Sequence, residues 1–207
     1  AGDAVPAVLA HRPIGLEAVD QGLIDFMKIK HLRTEDVALL PEGHGWLLAE
    51  FGGDSDDEAL SRARGLIDTV AKTHPKPRAK LFRGKSEQDR IWLVRRSGLG
   101  GTAFVPHHPD TWEGWEDAAV APDKVGAYLR DFKALLDRYS YDTALYGHFG
   151  DGCIHCRINF GLRDERGIAA WRRFLDQAAE LVVRYGGSIS GEHGDGQSKA
   201  ELLDKMF

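Results

Sequence analysis

Tyr146-Gly147-His148-Phe149-Gly150-Asp151-Gly152-Cys153-Ile154-His155 is the stretch on which the fold of this 207-residue chain turns. Asp-Gly between two short apolar runs is a hairpin signal, because a two-residue loop needs positive φ and this pair supplies it. With Asp151 and Gly152 as the loop, Gly150 pairs with Cys153, Phe149 with Ile154 and His148 with His155. Directly opposed side chains on antiparallel strands lie roughly 4.5–5.5 Å apart on one face, which suits two imidazoles closing on one divalent ion. Alternation puts Tyr146, His148 and Gly150 on the same face as Cys153, His155 and Arg157. Later in the chain, Ser190-Gly191-Glu192-His193-Gly194 offers a carboxylate and a third imidazole in a glycine-flanked loop whose backbone allows close approach. His148, His155 and Glu192 together make a common catalytic metal set, two imidazoles and a carboxylate, with a coordination position left open.

Working outward, the hairpin strands are expected over 143–150 and 153–160. A helix is expected around Leu16 to Lys30, with Leu16, Val19, Leu23, Phe26 and Met27 on one side. Trp46 to Phe51 reads as a buried strand ended by Gly52-Gly53. Asp54 or Ser55 caps a helix carrying Leu60, Ala63, Ile67 and Val70 that stops before Pro75. Ser86-Glu87-Gln88-Asp89 opens another helix that ends at Gly98, and the Gly98-Leu99-Gly100-Gly101 cluster after it reads as a turn. Pro122 starts a helix with Val125, Leu129, Phe132, Leu136 and Tyr139 in one stripe. Asp164 starts a long one, with Ile168, Trp171, Leu175, Ala178 and Val182 inward, closed by Gly186-Gly187. A last helix begins near Gln197. Strands separated by helices, with an antiparallel hairpin among them, predict one α+β unit over 1–207: helices on one face of a mainly antiparallel sheet, the other face left free.

Composition narrows the function. A net charge of -5 gives no electrostatic reason to bind nucleic acid, so the expected partner is a small molecule or a protein. No run reaches the roughly 18 apolar residues of a transmembrane segment, and the first residues lack a signal peptide's pattern, so a cytoplasmic setting is expected, at most peripheral to the membrane. The sequence starts at Ala1 and stops in a helical pattern at Lys205-Met206-Phe207, as a piece of a longer polypeptide does. Cys153 and Cys156 are an odd number of residues apart on one strand, so their side chains leave opposite faces and are expected to be ordinary buried thiols. An arginine two positions from a metal-ligating histidine offers a bidentate fork for a carboxylate, which makes Arg157 a substrate-binding candidate. His11, His31, His44, His74, His107 and His108 lack such context and are expected to be structural or solvent-facing.

The two motifs, 147–155 and 190–194, resemble the paired motifs of the C-terminal domain of FAD-linked oxidases of the vanillyl-alcohol-oxidase type, a family that includes glycolate oxidase subunits and D-lactate and D-2-hydroxyglutarate dehydrogenases. Cys153 and the Arg157-Ile158-Asn159-Phe160 run are most similar to the large forms that fuse the flavin portion to an iron-sulfur portion. The resemblance implies a ferredoxin-like α+β substrate domain that caps a flavin bound by another domain. It further implies that His148, His155 and Glu192 hold a divalent metal, most often zinc, that His193 is the base, and that Arg95 contacts the substrate carboxylate. The partners so implied are a small D-2-hydroxy acid, the protein's own FAD-binding domain and an iron-sulfur domain or other electron acceptor. Two departures stand out: Arg157 occupies a position where many relatives have asparagine, and Trp115-Glu116-Asp117 brings acids where some carry a base. The competing reading is a non-catalytic ferredoxin-like module that binds a metal or metabolite for regulation. A zinc hydrolase is disfavoured by the lack of a helical His-Glu-x-x-His.

Overall fold

The computed structural model describes residues 1–73 and 78–207. His74 and the helix stop expected at Pro75 lie outside the described residues. The strands are β1 (Gly15–Asp20), β2 (Gly45–Glu50), β3 (Ala118–Ala119), β4 (Thr143–Gly147) and β5 (Cys153–Ile158). They form one antiparallel sheet in the order β2-β1-β4-β5-β3. Around it pack, among the described residues, the helices α1 (Val5–Leu9), α2 (Gln21–Ile29), α3 (Thr34–Val37), α4 (Asp56–Thr73), α5 (Lys85–Arg96), α6 (Gly98–Thr102), α7 (Val125–Tyr139), α8 (Glu165–Arg184) and α9 (Gly196–Lys199). The fold is α+β.

One face of the sheet is dry. Leu16 and Ala18 of β1 and Ile154, Cys156 and Ile158 of β5 point to it and meet Phe132, Leu135 and Leu136 of α7 and Phe174, Leu175, Ala178 and Val182 of α8. The stripes hold in part: Val125, Phe132 and Leu136 of α7 and Leu175, Ala178 and Val182 of α8 are buried as expected and Leu129, Tyr139 and Trp171 partly so, but Ile168, expected inward, is 40% exposed in the first turn of α8, ahead of the segment that packs on the sheet. Asp164 caps α8 through a 2.7 Å bond from Gly167 N–H, which satisfies one of the open N–H groups of its first turn.

The opposite face is divided. Over β1 and β4, a second apolar cluster of Val19, Leu23, Ile24, Met27, Val94, Ala144 and Tyr146 is built with α2 and α5, so this half is covered rather than free. Here α6 lies where a turn was expected. Gly98 lets this helix come so close to β4 that a Cβ there would sit 2.8 Å from the Tyr146 ring. Over β5 and β3 the same face carries polar side chains.

Besides these, β2 is an edge strand with no buried residue rather than the buried strand expected over Trp46 to Phe51, and two larger expectations need correction. The helix expected over 16–30 is a strand followed by a helix: Gly15–Asp20 alternates in β1, and Asp20 caps α2 by accepting from Leu23 N–H at 2.8 Å. The second correction concerns register. Tyr146, not His148, lies opposite His155, and Leu145 lies opposite Cys156. The tip is a longer loop in which the His148 carbonyl accepts from both Asp151 N–H and Cys153 N–H. Of Asp151 and Gly152, Gly152 takes positive φ (+73) and Asp151 does not, whereas a two-residue type I′ loop needs it at both central positions. Tertiary bonds hold this shape, Gly150 N–H to the Leu16 carbonyl and Val120 N–H to the Gly152 carbonyl. Because the shift is by two residues, every side chain keeps its face.

Candidate metal and substrate site

Three imidazoles converge on one carboxylate on the polar half of that face. His148 Nε2 is 3.2 Å and His155 Nε2 3.5 Å from the two oxygens of Glu192, and His193 Nε2 is 2.8 Å from Oε1. The His148 and His155 rings meet edge to face at 5.2 Å, and those of His155 and His193 stack at 5.3 Å. The sequence motifs therefore do come together. His148 does so from the loop beyond β4 rather than from a paired strand position.

The outer nitrogens are also occupied. His148 Nδ1 lies 2.6 Å from Glu17 on β1, while His155 Nδ1 and His193 Nδ1 lie 3.2 and 2.9 Å from the two oxygens of Glu116. Each ring thus stands between two carboxylates, and a neutral imidazole has one N–H to give: where it goes to the outer carboxylate, it sits on Nδ1. Each Nε2 then turns a lone pair toward Glu192, whose oxygens are themselves acceptors. Facing lone pairs at these separations call for a proton or a cation between them. Two ligand atoms held by one tetrahedral zinc are roughly 3.3–3.4 Å apart, close to the separations of His148 and His155 from Glu192. Charge points the same way. Glu17, Glu116, Asp117 and Glu192 face Arg95 and Lys199 in and around this cluster, so four carboxylates against two cations leave two negative charges over when the imidazoles are neutral. The donor set fits a divalent ion.

Among the described residues, the group in which one ligand atom from each member lies within 4.8 Å of all the others is Asp117, His155, Glu192 and His193, so Asp117 and His193 join two of the expected ligands in it while His148 does not. Asp117, however, is fully buried and already saturated: it accepts from Ser190 Oγ at 2.6 Å, from the backbone N–H of Glu192 and of His193, and from the Cys153 thiol. Burial alone pushes its carboxyl up, but the bonds from Ser190, His193, Cys153 and Glu192 outweigh that and hold it at about 2. Asp117 is the anchor of the Glu192-His193 loop. Lys199, itself buried, donates to the carbonyls of Glu116 and Ile189 and ties the two acidic segments together.

The environments of the imidazoles differ. His155 is the floor, 8% exposed, and His193 the rim, 51% exposed. The hydrogen bond to Glu116 raises the pKa of His193; burial opposes this, and the negative charge of Glu116, Asp117 and Glu192 adds to the rise. Burial works against ionisation of Glu116, yet the bonds from His155 and His193 leave its pKa below the usual value.

The two arginine candidates differ as well. Arg157 shares the His155 face as expected, but its guanidinium is buried and already engaged: Nε reaches Thr111 Oγ1, NH2 the Thr111 carbonyl and NH1 Glu113 at 2.6 Å. Arg95, on α5, donates from Nε to Glu17 at 2.6 Å and packs over the Tyr146 ring. The thiols behave as expected. Cys153 lies on the polar side and Cys156 in the core, and burial is the main cause of the rise in both, which takes Cys156 to about 12. Glu17, Glu116, Asp117 and Lys199 were not foreseen as site residues. Alternation in Leu16-Glu17-Ala18-Val19, with Glu17 the charged member of an otherwise apolar run, is the signal that could have found Glu17.

The sequence matches the family described as FAD linked oxidases, C-terminal domain, over residues 1–207, and the chain belongs to that family. It is 30% identical over 209 residues to D-2-hydroxyglutarate dehydrogenase of Pseudomonas putida, covering 97% of this chain and 21% of that protein. It is 32% identical over 171 residues to D-lactate dehydrogenase of Archaeoglobus fulgidus, covering 80% of this chain and 34% of that one. To the glycolate oxidase subunit GlcD of Bacillus subtilis it is 24% identical over 196 residues, 93% of this chain and 39% of the relative. The chain thus spans about a fifth to two fifths of the length of these relatives. Among the described residues no helix is long and apolar enough to cross a membrane.

Proposed function

We propose that this domain binds the metal and substrate of a flavin-dependent dehydrogenase that oxidises a D-2-hydroxy acid, such as D-lactate or D-2-hydroxyglutarate, to the 2-oxo acid. The observation that carries the reading is the convergence of three Nε2 atoms on Glu192 with every Nδ1 set against an outer carboxylate. In this reading His148, His155 and Glu192 hold a divalent ion, zinc by the imidazole-rich donor set. When bound, such an ion acts as a Lewis acid on the substrate's hydroxyl and carboxylate. His193, at the rim and backed by Glu116, takes the hydroxyl proton at Nε2, and the imidazolium formed is stabilised by that carboxylate. The FAD, held by a domain outside this chain, is the hydride acceptor. Arg95 takes the substrate carboxylate, a role it fills better than Arg157, whose fork already engages Thr111 and Glu113. The similarity of Cys153 and its following run to iron-sulfur-fused forms extends the proposal to an iron-sulfur portion as the onward acceptor, in a cytoplasmic protein.

The test is the full-length flavoprotein. Its flavin absorbance should bleach with a D-2-hydroxy acid, His148→Ala and Glu192→Ala should lose bound metal, and His193→Ala should keep metal while turnover falls by about 100-fold or more. A yellow holoprotein that no D-2-hydroxy acid bleaches contradicts the dehydrogenase reading and favours a regulatory module.

A further inference from the structure

We propose that Glu17 is a positioning residue that sets both the metal ligand His148 and the substrate-side Arg95, so that one carboxylate aligns the two halves of the site. The inference rests on the reading above. Glu17 Oε1 lies 2.6 Å from His148 Nδ1, and Oε2 lies 2.6 Å from Arg95 Nε. The β1–β4 register explains the placement: Ala18 lies opposite Gly147 and Val19 opposite Tyr146, so Glu17 is the next residue along, on the face where His148 emerges. Glu17 is only 14% exposed and Arg95 10%, so little water competes for these bonds.

The consequences for each partner are separate. With its hydrogen donated to Glu17, Nδ1 of His148 fixes the tautomer that leaves on Nε2 a lone pair free to ligate a cation beside Glu192. Removing the acceptor frees the ring to turn and to carry its hydrogen on Nε2, where it blocks ligation. On the other side the bond to Nε, together with packing over Tyr146 at 5.1 Å, fixes the direction in which the Arg95 fork points. Both roles require a carboxylate. Two donors converge from two elements, so both oxygens must accept. A glutamine has one acceptor and one donor, and its NH2 would always face either His148 Nδ1–H or Arg95 Nε–H.

The experiment uses the full-length protein, stripped of metal and titrated with Zn2+ against a competing chelator, with steady-state kinetics alongside. Glu17→Gln, nearly isosteric, is expected to weaken zinc binding by about 10- to 100-fold and to raise KM for the hydroxy acid. Arg95→Gln is expected to raise KM and leave zinc affinity within about twofold, because it touches only one arm. Glu17→Asp, which keeps both acceptors, should stay closer to wild type in zinc affinity than Glu17→Gln. The reverse order would mark a space-filling role and overturn the proposal, as would a Glu17→Gln protein that binds zinc like wild type. A wild-type protein that binds no Zn2+ contradicts the site reading itself.

Discussion

Strand β5 is buried along its whole length, yet its two faces are made differently. Ile154, Cys156 and Ile158 enter an apolar layer with α7 and α8, where area removed from water is the stabilising quantity. Cys153, His155 and Arg157 on the other face are just as buried, but each meets a polar partner brought from the 111–117 segment: Asp117, Glu116, and Thr111 with Glu113. Burial therefore does not mark the site on this strand. What marks it is a set of bonds whose partners come from distant parts of the sequence, each one needed to offset the cost of taking a polar group out of water.

The largest break in the comparison comes from the apolar face. Phe174→Ala, in the centre of the aromatic cluster with Phe132, Tyr139, Tyr141 and Phe160, is expected to cost about 3–5 kcal/mol in chemical denaturation while leaving the zinc affinity of the folded fraction unchanged. Asp117→Asn acts on the polar face. It sets an NH2 among donors and is expected to cost about 1.5–3 kcal/mol and to loosen the Glu192-His193 loop, seen as faster amide exchange there.

Acidity sharpens the contrast, because two buried aspartates shift in opposite directions. Asp117 is depressed to about 2, so its contribution is present above the ordinary value of 3.8 and lost as pH falls through about 2. Asp20 is raised to about 6, chiefly by burial, against the bonds it accepts from Leu23 N–H and Leu145 N–H. Its contribution is full below 3.8 and lost as pH rises through about 6. Stability measured against pH should thus lose slope between about 4 and 6 in Asp20→Asn, and between about 4 and 2 in Asp117→Asn. The smallest effect lies outside both faces. Lys133→Ala removes an exposed i,i+4 pair with Asp137 on α7 and should change stability by less than about 0.5 kcal/mol.

The apolar face was legible because its helices repeat every 3.6 residues and its strand alternates, and both are local signals. The site was legible only in part. His148, His155, Glu192 and His193 announced themselves in glycine-rich motifs and do converge, although the register that first paired two of them is off by two residues, a slip that preserves facing. Their outer partners were not legible. Glu17 was hidden in a segment whose apolar residues fit helical spacing as well as alternation, and only pairing with β2 and β4 makes it a strand. Glu116 and Asp117 sit before a two-residue strand whose place is fixed by bonds to Ile154 and Ser188, contacts that no local pattern encodes. Arg157 was placed on the correct face, but its partners Thr111 and Glu113 come from a segment without regular structure.

The most direct measurement is anomalous diffraction at the zinc edge from crystals of the full-length protein grown with Zn2+. A single strong peak bounded by His148 Nε2, His155 Nε2 and the Glu192 carboxylate is expected. A site with no peak, or zinc bound elsewhere while the three imidazoles keep their present contacts with Glu192, would contradict the account.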